Sequence, residues 1–106
     1  MRLGIIISTS EAETVFNALR LGSFALGNGD QVGIFLVGKA VELDCIEDER
    51  FNVRDQAEAF QKSGGRIMAC GACLKLRESA GSDLCPVSTM KDLYELVRDA
   101  DRVVCL

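Results

Sequence analysis

The sequence predicts an α/β protein, a three-layer doubly wound sandwich with a mainly parallel sheet, folded as a single domain. Three observations carry that prediction. Short apolar runs such as Leu3 to Ile7 and Gln31 to Val37 are continuous rather than alternating, as strands buried on both faces are. Segments with apolar residues at helical spacing stand between these runs. The connections are short, and alternation with short connections implies parallel strands joined by right-handed crossovers. At 106 residues the chain has the length of one domain.

The elements follow in order. Leu3 to Ile7 is the first strand. Ser10 with Glu13 three residues on fits a capping box, and Glu11 and Glu13 suit the positive end of a helix dipole. Val15, Ala18, Leu19, Gly22 and Leu26 recur at helical spacing, and Gly27-Asn28-Gly29 supplies the left-handed turn that ends the helix. Gln31 to Val37 is the second strand, closed by Gly38. Lys39 to Asn52 is polar, acidic and weakly patterned, which reads as a loop with room for a short helical turn.

Val53 to Lys62 is a second helix with Val53, Ala57 and Phe60 on its apolar face, stopped by Ser63-Gly64-Gly65. Arg66 to Cys70 is the third strand, and Ala72 to Glu78 a short helix directly behind it. Gly81 to Val87 reads as a loop, where Pro86 argues against a central strand. Thr89 with Asp92 caps a helix from Met90 to Arg98, and Arg102 to Leu106 is the fourth strand. Sites in such sheets gather beyond the carboxyl ends of the strands. Ser8 to Ser10, Gly38 to Val41 and Cys70 to Cys73 are expected to meet there.

Composition excludes several function classes. The chain is 48% hydrophobic and 26% charged, which suits a packed globule. A net charge of −4 with scattered Lys and Arg is wrong for nucleic acid, since neutralising phosphates needs a concentrated basic surface. No apolar stretch approaches the roughly 20 residues of a membrane span, and the N-terminal run is too short for a signal peptide. The protein is therefore expected in the cytoplasm, with neither membrane nor nucleic acid as partner. There is no His, so neither a Ser-His-Asp nor a Cys-His arrangement can be built within the chain. No glycine-rich phosphate-binding motif occurs. Ser8, Thr9 and Ser10 could bind an anion at their helix N-terminus, but a plain helix cap explains them more simply.

The five cysteines remain. An odd count in a non-secreted chain points away from a disulfide scaffold and toward thiol chemistry, metal binding or ordinary burial. Cys70 ends a strand and precedes a helix, where backbone N–H groups stabilise a thiolate, and Gly71 and Ala72 leave the sulfur accessible. Lys75 and Arg77 follow within two turns. Cys73 completes a C-x-x-C, close enough for a disulfide with Cys70. Both are candidate catalytic residues, against the plain alternative that Cys70 simply ends a buried strand. Cys105 lies in an apolar strand and reads as core. Cys85 could reach the site through its loop, and Cys45 lies in an acidic loop. Without His or a second C-x-x-C, zinc would need Cys45 and Cys85 to converge, so no metal and no cofactor are expected.

The chain also resembles the DsrE/DsrF-like family of small sulfur-relay proteins, which includes the TusD-type subunits. The likeness runs through Met1-Arg2-Leu3-Gly4-Ile5-Ile6-Ile7 and its following helix, Val32-Gly33-Ile34-Phe35-Leu36, and Ala100-Asp101-Arg102-Val103-Val104. It is sharpest at Ile67-Met68-Ala69-Cys70-Gly71-Ala72-Cys73-Leu74-Lys75-Leu76-Arg77. The resemblance implies that Cys70 carries sulfane sulfur as a persulfide, passed between sulfur donor and acceptor proteins. Cys73, which departs from the TusD-type pattern, would then be a resolving thiol. The resemblance further implies a homo-oligomer, a trimer or hexamer, with the cysteine near subunit contacts. Two other readings stand beside this one: a C-x-x-C thiol-disulfide redox protein, and a non-catalytic oligomeric binding module.

Overall fold

The computed structural model describes residues 1–106. Five strands form one sheet: β1 (Arg2–Ile7), β2 (Gln31–Leu36), β3 (Arg66–Cys70), β4 (Val87–Ser88) and β5 (Arg102–Cys105). Their order across the sheet is β4-β3-β2-β1-β5, and every neighbouring pair is parallel. The helices are α1 (Ala12–Gly27), α2 (Val53–Lys62), α3 (Gly71–Leu76) and α4 (Met90–Asp99), with a 3-10 segment at Gly38–Cys45. From β1 the chain winds outward to β4, then α4 carries it back across the other face to β5 beside β1. Right-handed crossovers in opposite directions put α4 on the face away from α1 and α2. A single compact domain results, with a Cα radius of gyration of 12.5 Å.

Alternation along each strand sorts the side chains between the two faces. Leu3, Ile5 and Ile7 join Val32, Ile34, Leu36, Ile67 and Ala69 in a core of 21 buried residues shared with α1 and α2. Glycine lets those two helices approach closely. A Cβ at Gly22 would lie 2.8 Å from Cε1 of Phe60, whose ring is fully buried. On the opposite face Gly4 and Gly33 are register partners, and together they leave a dent in the sheet. Leu96 of α4 fills that dent: a Cβ at Gly33 would stand 2.8 Å from Cδ1 of Leu96.

Several boundaries differ from the sequence expectation, each for a local reason. Helix α1 starts at Ala12, so its N-cap is Glu11, whose carboxylate accepts from the Thr14 N–H at 2.7 Å. The capping box expected from Ser10 and Glu13 therefore does not form. The acidic stretch read as a loop begins as an eight-residue 3-10 segment, bent at Glu42, that buries Ala40, Val41 and Leu43. Its apolar residues are too few to show a helical period. A fifth strand, β4, follows Pro86 directly. It is two residues long and lies at the sheet edge, where a proline costs no ladder hydrogen bond. Asn52 and Thr89 cap α2 and α4 as side-chain acceptors, and Thr89 with Asp92 forms a complete capping box. No helix is long and apolar enough to cross a membrane.

Candidate functional site

Cys70 is the last residue of β3 and the N-cap of α3. Its strand is anchored by Ile67, Met68 and Ala69, all buried, so the sulfur is delivered to the carboxyl edge of the sheet half-exposed. The residue after it must be small: a Cβ at Gly71 would sit 3.0 Å from the carbonyl oxygen of Ser88 on β4. Burial pushes the Cys70 thiol up, but the backbone N–H of Cys73, the Cys73 thiol and the backbone N–H of Ala72 together outweigh it. The net effect holds the pKa below the ordinary 9.0. Hydrogen bonding to the charged form is therefore what acidifies this cysteine.

Cys73 stands one turn along, also half-exposed, and its sulfur accepts a hydrogen bond from the Gly38 N–H at 3.2 Å. Gly38 has a φ of +56°, a backbone conformation that costs side-chain-bearing residues about 1 kcal/mol or more. This geometry turns its N–H toward Cys73. The Gly38 N–H thus holds the Cys73 sulfur, while Cys73 in turn helps to lower the Cys70 pKa.

Two of the three segments expected at this edge are therefore in contact. The third is close but faces elsewhere. Ser8 donates its hydroxyl and its N–H to the Leu106 carbonyl, at 3.2 and 2.8 Å, so it is engaged in closing β1 onto the chain end. Thr9 accepts from the Glu11 N–H within the turn into α1.

The other cysteines separate from the pair. Cys85 belongs to the hydrophobic core. It is buried beneath the loop before β4, where desolvation and the nearby Asp44 carboxylate push its thiol up to about 12. The Ser82 hydroxyl holds that loop, accepting from the Cys85 N–H and bonding to Asp44 of the 3-10 segment. Cys45, at the end of the same segment, is exposed. Cys105 is exposed as well, contrary to the expectation of a core position, because β5 is an edge strand with one face open. No three His, Cys, Asp or Glu side chains are grouped to hold a metal ion. A cavity of about 260 Å³, lined by Arg2, Gln31, Arg66 and α4, lies at the opposite end of the sheet from Cys70.

Two participants escaped the sequence reading. Gly38 was placed at the crevice but not against Cys73, and its only signal was a glycine directly after an apolar strand. Arg77 was noted without a direction. Its guanidinium donates from Nη1 to the Cys73 carbonyl at 3.1 Å and pairs through Nε with Glu42 Oε1 at 3.3 Å.

The sequence profile of the DsrE/DsrF-like family matches residues 1–106, the whole chain. The chain belongs to the DsrE/DsrF-like family. This DsrE-like chain is 33% identical to an uncharacterized protein of Methanopyrus kandleri over 110 aligned residues, covering 94% of this chain and 91% of the relative. It is 30% identical to an uncharacterized protein of Methanocaldococcus jannaschii, covering 98% of each. The crystal structure of the YchN protein from E. coli superposes with a TM-score of 0.88 at 20% identity, covering 100% of this chain and 99% of that one. That likeness shows the fold, a DsrE-like five-stranded parallel sheet flanked by helices. Proteins of the DsrE/DsrF-like family are generally tied to sulfur relay.

Proposed function

We propose that this protein is a sulfur carrier that holds sulfane sulfur as a persulfide on Cys70 and passes it from a donor protein to an acceptor protein. The observation that carries the reading is a free, half-exposed Cys70 at the end of β3 and the start of α3, its pKa held below the ordinary value, in a family tied to sulfur relay. The Cys70 thiolate attacks the outer sulfur of a donor persulfide R–S–SH. The S–S bond breaks, the donor leaves as a thiolate, and Cys70–S–SH is formed. An acceptor thiolate takes the outer sulfur by the same exchange and returns Cys70 as a thiolate. Neither step needs an imidazole, a metal or a cofactor.

Cys73 gives the site a second course. Its thiolate can attack the inner sulfur of Cys70–S–SH, forming the Cys70–Cys73 disulfide and expelling hydrosulfide, after which a dithiol reductant restores both thiols. The C-x-x-C spacing, with both cysteines free and half-exposed one turn apart, also supports the redox reading, in which the pair cycles between dithiol and disulfide without carrying sulfur.

The partners in this proposal are sulfur donor and acceptor proteins in a cytoplasmic setting, and further copies of the chain in a trimer or hexamer. Support for self-association comes from α4. Its apolar and polar residues are sharply segregated, yet none is buried, and Met90, Tyr94 and Val97 are exposed.

Intact-protein mass spectrometry after incubation with a sulfane-sulfur donor tests the proposal. A mass gain of whole sulfur atoms, removed by dithiothreitol and absent in Cys70→Ser, is the expected result. A loss of two hydrogens with no adduct, abolished by substitution of either Cys70 or Cys73, would replace the carrier with the redox protein.

A further inference from the structure

The 3-10 segment grips Cys73 at two points. Gly38 N–H holds its sulfur, and Glu42 reaches its carbonyl oxygen through the guanidinium of Arg77. Helix α3 has few other anchors. It is six residues long, no side chain caps its N-terminus, and Leu74 is its one buried residue. Arg77 is the best shielded part of the clamp, with its side chain 25% exposed, whereas Glu42 is 44% exposed. A planar guanidinium suits this bridging role, since Nη1 and Nε can serve a carbonyl and a carboxylate at once. Glu42 is also the residue at which the 3-10 segment bends, so the ion pair ties the bend to the end of α3.

We propose that Arg77, anchored by Glu42, is the positioning residue of the thiol pair, holding the turn of α3 so that Cys73 can close on Cys70. The inference rests on the reading of Cys70 and Cys73 as a working pair. Arg77 touches neither reacting sulfur in this role and acts through the backbone of Cys73. Closure is the attack of the Cys73 thiolate on the Cys70 sulfur of a mixed disulfide Cys70–S–S–R. The Cys70–Cys73 bond forms as the S–S bond to R breaks, and R leaves as a thiolate.

An aromatic disulfide probe, DTNB, reads the two steps separately. The probe is the oxidant, and each step releases one equivalent of coloured thiolate. The measurement uses the full chain carrying Cys45→Ser and Cys105→Ser, which removes the exposed thiols outside the pair. The first release reports attack by Cys70 and the second reports closure by Cys73, with Cys73→Ser as the control that abolishes the second. Arg77→Met is expected to slow the second release roughly threefold to tenfold, the scale of one ordinary hydrogen bond lost at a partly exposed site. Arg77→Lys should recover part of that loss and Glu42→Gln should reproduce part of it, with the thermal midpoint as a check that all variants fold. A second release as fast in Arg77→Met as in the parent overturns the proposal alone. A parent chain that never gives a second release overturns it together with the redox pairing, while persulfide loading, read by mass, stands or falls separately.

Discussion

Three hydrogen-bonding groups lower the Cys70 pKa, and only one of them is a side chain. The N–H groups of Ala72 and Cys73 come with the turn into α3 and survive any substitution that keeps the backbone; the Cys73 thiol does not. The pH dependence of Cys70 alkylation by iodoacetamide, followed on the Cys70 peptide by mass spectrometry, separates them. In the parent the rate should level off below the ordinary thiol value of 9.0. Cys73→Ala should move the inflection upward toward 9.0, while Cys73→Ser, which keeps a hydroxyl donor, should leave it closer to the parent. An inflection unmoved in Cys73→Ala would remove the thiol from the list of donors. A lowered pKa also adds stability that is fully present above 9.0 and lost as pH falls through the lowered value, so any advantage of Cys70 over Cys70→Ser grows with pH. The place of Cys70 at a strand end and helix start was legible in the sequence because its signals are local: an apolar run that stops, two small residues, a helical stretch. Cys85 and Cys105 were not, since their burial depends on which strand lies at the edge and where a loop folds down, and both are set by distant contacts.

At the level of elements, periodicity and caps gave the helices and strands to within a residue or two wherever the apolar pattern was long. They failed where the pattern was short, in the 3-10 segment and in the two residues of β4. The α1–α2 contact supplies a test of packing against propensity. In an open helix, replacing Gly by Ala gains about 1 kcal/mol. At Gly22 the new methyl would meet the Phe60 ring at 2.8 Å, so Gly22→Ala should instead destabilise the protein by about 1–2 kcal/mol in urea melts. Gly27→Ala on the same helix, with nothing within 4 Å of the added atom, should be neutral or stabilising. Equal effects at the two positions would mean that the Phe60 ring yields without cost.

The whole molecule presents one face that its own chain does not cover. Helix α4 rests on the sheet chiefly through Leu96 in the dent left by Gly4 and Gly33, while Met90, Tyr94 and Val97, with Val103 of β5, remain exposed. Sedimentation of the parent should therefore give an oligomer, and Tyr94→Glu with Val97→Glu should shift it toward monomer while α4 keeps its capping box. A parent that sediments as a monomer at high concentration would leave this face to another protein. The doubly wound, parallel architecture was readable from alternation alone, but the bareness of α4 was not, because an amphipathic stretch looks the same whether its own sheet or a neighbour covers it. The strand order has one more consequence, in the timing of folding. Strands β1, β2 and β3 with α1 and α2 can assemble from the first 70 residues, but β1 receives its second neighbour only from β5, pairing Leu3 with Arg102. During synthesis β1 therefore keeps a bare edge until β5 has been made, and that edge is open to mispairing throughout the interval.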